Sequence, residues 1–153
     1  MKLKLFEVDR LYGTIIGISK EVPLTRKGTA IAFRLARISK MITPDIEAYI
    51  QTRTAIMTRY KDEHGTTHED GSYELPPAMA AAQNAELVEL GSTVTDLDIP
   101  KSAMVKFSDI CTNYHLDVDK YMALLPIIID DSDSFDADSL DVIPGRGNDD
   151  TTE

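Results

Sequence analysis

The chain has no tryptophan and only 7% aromatic residues, so its core must be built from aliphatic side chains. It has a single cysteine, Cys111, which excludes an internal disulfide framework and any zinc site made of several cysteines. A lone thiol usually packs as a small apolar side chain, and Cys111 is expected to be buried. No apolar run approaches the roughly 20 residues needed to cross a bilayer. The opening MKLKLFEVDR alternates Lys with Leu and reaches an acid at Glu7, unlike a secretory signal. These absences point to a cytosolic or virion-borne protein with no membrane partner.

What is present is enough for one domain: 153 residues, 42% of them apolar. The net charge of −10 is unevenly spread. Residues 1–40 carry nine Lys/Arg against three acids, and residues 41–129 carry six against fourteen. From Asp130 onward Arg146 stands against nine acids. Opposite signs at the two ends of a chain favour interaction surfaces over chemistry.

The hydrophobic pattern is mostly helical. KLKLF at residues 2–6 alternates as a short strand, and Asp9 is placed to cap a helix reaching Ser19. From a cap at Thr25, Ile31, Leu35, Ile38 and Ile42 recur at 4-3-4 spacing on one face. Arg26, Lys27, Arg34, Arg37 and Lys40 fall opposite them as a basic face. Thr43-Pro44-Asp45 then has the chemistry of a helix start: a cap, a first-turn proline and an acid at the positive end of the dipole. The pattern therefore predicts a helix pair broken at Thr43-Pro44, the second helix stopping at Gly65. Asp70-Gly71 marks a hairpin, and Pro76-Pro77 opens a third helix closed by Gly91. TVTDLDIP reads as a strand that SAMVKF pairs with, unless SAMVKF pairs with SYEL. Asp117 caps a last helix ending at Pro126. The expected fold is α+β and predominantly helical, with a small antiparallel sheet. One domain covers 1–129 and an acidic tail, flexible or docked on a partner, covers 130–153.

No motif specifies a reaction. An EF-hand loop counted from Asp131 would need an oxygen ligand at position 5, glycine at 6 and an acid at 12; it meets Phe135, Asp136 and Val142. His64 and His68 have metal-ligand spacing but lie in turn-rich sequence, and His115 near Cys111 has no nucleophile context. GTIIGIS and GRG lack the rest of a phosphate loop. The basic stripe has only Phe33 as an interleaved aromatic in an acidic protein, which disfavours nucleic acid as its partner. No cofactor or metal is implied.

The succession KLKL, PLTRKGTAIAFRLARISKMITPDIEAY, RYKDEHG…GSYEL, NAELVELGSTVTDLDIP and LLPII resembles an uncharacterised family of small tailed-bacteriophage proteins over about residues 2–129. The family brings no known active site, and the acidic tail departs from its usual stop after the last helix. The resemblance implies a non-enzymatic virion or assembly protein, in the head–tail connector, the tail or the packaged interior. Its partners would be copies of itself or other phage proteins. The alternative is a host-takeover or defence-inhibiting protein that binds a host factor. Candidate interaction residues are the basic face (Arg26, Lys27, Arg34, Arg37, Lys40) and the tail (Asp131, Asp133, Phe135, Asp136, Asp138).

Overall fold

The computed structural model describes residues 1–130. The expected tail, with Asp131, Asp133, Phe135, Asp136 and Asp138, lies outside the described residues. Strand β1 (Lys2–Lys4) leads directly into α1 (Leu5–Ser19), and a bend leads to the long α2 (Gly28–His64). A hairpin of β2 (Thr66–Thr67) and β3 (Tyr73–Glu74) connects α2 to α3 (Pro77–Ser92). There follow β4 (Val94–Asp96), a 3₁₀ turn, β5 (Val105–Lys106), α4 (Phe107–Asn113), α5 (Val118–Leu124), a second 3₁₀ turn and β6 (Ile128–Ile129). The fold is predominantly helical α+β.

Two stripes meet to make the core. On α1 the buried positions are Val8, Leu11, Ile15 and Ile18; on α2 they are Ile31, Leu35, Ile38, Ile42 and Ile46. Spacings of three and four put each set on one helix face. The two helices pack on each other, and the C-terminal elements close the cluster with Val105, Ile110, Tyr114, Leu124 and Ile127. Each fully buried Leu or Ile contributes about 1.5–3 kcal/mol by leaving water.

The expected break at Thr43-Pro44 does not occur: α2 runs through Pro44 without interruption. Pro44 offers no N–H to the carbonyl of Lys40, a defect that usually bends or ends a helix. Here both residues are exposed, so water can solvate that carbonyl, and the Thr43 hydroxyl donates to the neighbouring Ser39 carbonyl at 2.7 Å. The buried stripe continues in phase from Ile42 to Ile46. Breaking the helix at Thr43 would pull Ile46 out of the core, and tertiary burial outweighs the local signal.

Local details differ too. Helix α1 begins at Leu5, not Asp9, because the Glu7 carboxylate reaches back to accept from the Lys4 N–H at 2.8 Å. Thr25 does not cap α2; its N–H and hydroxyl both donate to the Asn113 carboxamide oxygen, at 3.1 and 2.6 Å. Gly91 lies inside α3. In place of one antiparallel sheet there are, among the described residues, three two-stranded pairs. β1 with β4 and β2 with β3 are antiparallel, and β5 with β6 is parallel. SAMVKF thus pairs with the segment after Pro126, a partner that local sequence could not indicate. Cys111 is exposed, because the short α4 turns Ile110 and Asn113 inward and leaves Cys111 outside.

Among the described residues Asn113 is the buried polar residue, and both ends of its carboxamide are bonded. Besides accepting from Thr25, its amide donates to the Asp109 carbonyl at 2.8 Å, and its own carbonyl accepts from the Leu24 N–H at 3.1 Å. This cluster fixes the bend that delivers the chain into α2.

Candidate interaction surface

Beyond Ile46 the character of α2 changes. No residue from 47 to 96 belongs to the hydrophobic core, which resumes at Leu97. The 18 residues of α2 after Ile46 span about 27 Å, and α3 returns alongside them. Tyr60 bonds Glu86 near the far end, and the Tyr49 hydroxyl lies close to Gly91 near the base. The result is an antiparallel two-helix arm capped by the β2–β3 hairpin. At its foot the Thr95 hydroxyl donates to Asp45 at 2.7 Å. At its tip Gly71 takes φ +83°, the left-handed conformation the Asp70-Gly71 turn requires. Asp70 holds that turn by accepting from the Ser72 hydroxyl and then its N–H, which keep its carboxyl below the usual range.

The arm is held by polar contacts. Tyr60, buried on the helix–helix seam, donates to Glu86 at 2.7 Å, and Arg59 donates to the other oxygen of the same carboxylate. The tyrosine hydrogen bond and then that of the guanidinium depress the Glu86 pKa. The carboxylate and then burial raise that of Tyr60. A carboxylate depressed in the folded state stabilises it above the ordinary carboxylate range, and this contribution disappears as pH falls through the folded pKa. The raised tyrosine stabilises at pH below its ordinary value, and that contribution is lost as pH climbs through the folded pKa. Amide-exchange protection of residues 56–61 and 83–90 should therefore be greatest between the two ranges and fall on either side. In Glu86→Gln the acid-side loss should vanish and protection should be lower throughout. An acid-side fall that survives the substitution would show that Glu86 is not its cause.

The outer faces of the arm mix small apolar residues with scattered charges. Ala78, Ala81, Ala85 and Val88 are exposed at 3-4-3 spacing on α3, and Ile50, Thr54, Ala55 and Thr58 line a shallow open hollow on α2 that Arg59 and Asp62 border. The signal for an arm was in the sequence. At about 100° per residue the buried stripe of α2 continues through Arg53, where a charge replaces an apolar residue.

The structure brings the expected basic residues together at the opposite end of α2. Arg26, Lys27, Arg34, Arg37 and Lys40 are all exposed, and the Arg34 guanidinium donates to the Met104 carbonyl at 3.4 Å. Phe33, 64% exposed, lies among them. In the sequence Phe33 counts only as too little aromatic character for nucleic acid, whereas an exposed Phe ringed by arginines has the composition of a protein interface. Arg26 and Lys27 also border a hollow with Ser108, Asp109 and Thr112.

A further apolar surface covers α5, where Val118, Met122 and Leu125 are exposed and Phe107 meets Tyr121 edge to face at 5.4 Å. The Tyr114 hydroxyl is buried without a hydrogen-bond partner among the described residues, and burial, then the Glu21 charge, raise its pKa. It belongs to the core cluster. His64 and His68 lie within 3.7 Å and 3.5 Å of Glu63 and Glu74. No group of three His, Cys, Asp or Glu side chains among the described residues is arranged to hold a metal ion. No helix among them is long and apolar enough to cross a membrane. Compared with family models, curated proteins and solved structures, the chain matches none.

Proposed function

We propose that this chain is a non-enzymatic bacteriophage virion or assembly protein, acting through protein–protein contacts in a head–tail connector, a tail or the packaged interior. The observation that carries the reading is the arm. It is built from two well-formed helices, yet it adds nothing to the hydrophobic core. A projection of that length, which meets α1 through α3 at its foot and contributes no residue to the core, is best accounted for by a surface it offers to another molecule. The basic face with Phe33 at the other end of α2 is a second such surface, and the resemblance to small tailed-phage proteins supplies the setting.

The test is composition of particles. Virions and assembly intermediates of the phage that encodes the chain, purified by gradient and analysed by mass spectrometry, should contain it at a fixed ratio to the portal or tail proteins. Its absence from both would overturn the reading. Capture of a defined host factor instead would favour a host-directed inhibitor.

A further inference from the structure

We propose that the acidic tip of the arm in one copy binds the basic, Phe33-bearing face of α2 in a second copy, joining copies head to tail. The proposal rests on the assembly reading above and names one partner within it.

Between Glu21 and Asp45 the chain has five cations and no acid. All five are exposed, and none takes part in an ion pair within the described residues. At the other end of α2, Asp62, Glu63, Glu69, Asp70 and Glu74 are exposed around the tip beside Lys61; Arg59 is committed to Glu86, and His64 and His68 lie next to Glu63 and Glu74. The two surfaces are complementary in sign. Helix stability does not account for the placement: Arg26 and Lys27 sit at the positive end of the α2 dipole and Asp62 and Glu63 at the negative end, each where the dipole disfavours it.

The tip cannot reach the basic face of its own molecule. Lys40 and Asp62 lie on one continuous helix, 22 residues apart, which is about 33 Å and several times the screening length of about 8 Å at physiological salt. Tip and face can meet only between copies. The contact is heterologous, using different patches on the two partners, so it propagates and either closes into a ring or continues as a chain. Phe33 supplies an apolar anchor amid the charges, as tight interfaces require.

The 153-residue chain should exceed its monomer mass of 17.0 kDa in sedimentation velocity at low salt and return to it at high salt. A face reversal (Arg34→Glu, Arg37→Glu, Lys40→Glu) and a tip reversal (Glu63→Lys, Glu69→Lys, Glu74→Lys) should each weaken association at least about tenfold. Mixing the two variants should restore it, since each then offers what the other lacks. Phe33→Ser, which leaves every charge in place, should also weaken it, and circular dichroism checks that all variants fold. A monomer at every salt concentration would overturn the proposal. So would association that ignores the tip reversal but is lost on truncation after Ile129, or DNA binding by the basic face without self-association. A monomer still found in virions would sink this contact alone; absence from particles with association intact would sink the assembly reading alone.

Discussion

Replacing Gly28 with alanine should destabilise the protein, although the same change in a helix ordinarily stabilises it by up to about 1 kcal/mol. A Cβ on Gly28 would lie 2.3 Å from the Pro23 Cβ and 2.6 Å from the Asn113 carboxamide oxygen. Neither neighbour can yield easily. The proline ring is rigid, and Asn113 is fixed by its bonds to Thr25 and to the Asp109 carbonyl. Relief requires shifting the bend or breaking buried hydrogen bonds, at about 1–3 kcal/mol for overpacking and a similar amount for a stranded polar group. The net loss should be about 2–4 kcal/mol, which lowers Tm by about 5–12 °C for a chain of this size. Gly13 and Gly17 are the controls. Both are exposed on α1, and a methyl group added at either would meet nothing within 4 Å, so alanine there should raise Tm slightly. If Gly28→Ala behaves like these two, the packing around Asn113 is not as described.

Replacing Pro44 with alanine should have the opposite sign. Alanine restores the N–H that the Lys40 carbonyl lacks and removes the ring from an exposed position in the middle of α2. Proline costs about 3 kcal/mol against alanine in a helix interior. Part of the gain is offset because proline also restricts the unfolded chain, by about 1 kcal/mol. A net stabilisation of about 1–2 kcal/mol is expected, read as a higher urea midpoint at unchanged slope. Destabilisation would mean that the geometry proline imposes on α2 is needed to aim the arm.

These two positions also show how far the sequence could be read. Rules that act within a few residues held at some ends and failed at others: Asp9 and Thr25 do not cap their helices and Gly91 does not close α3. Asp117 caps α5 by accepting from the Lys120 N–H, Gly65 ends α2, and Asp70-Gly71 makes the hairpin turn. The helical period correctly placed Ile31, Leu35, Ile38 and Ile42 inside and the five cations outside. Pro44 failed because its local chemistry fits a helix start equally well, and only burial of Ile46 decides the matter. The parallel pairing of Val105 with Ile128 and the exposure of Cys111 depend on contacts between segments far apart in the chain. The basic face was legible as a candidate, whereas the acidic tip becomes a unit only once α2 is seen to be continuous.

The arm leaves the domain after Ile46 and rejoins it before Leu97, and its two feet stand together, joined by Thr95 and Asp45. Its length is consequently a free parameter of the design. Removing or adding about seven residues in each of α2 and α3, two turns apiece, would shift the tip by about 10 Å along the helix axes and leave every core contact where it is. Selection can therefore tune the reach of this protein, as one trims a spacer, without re-solving its fold.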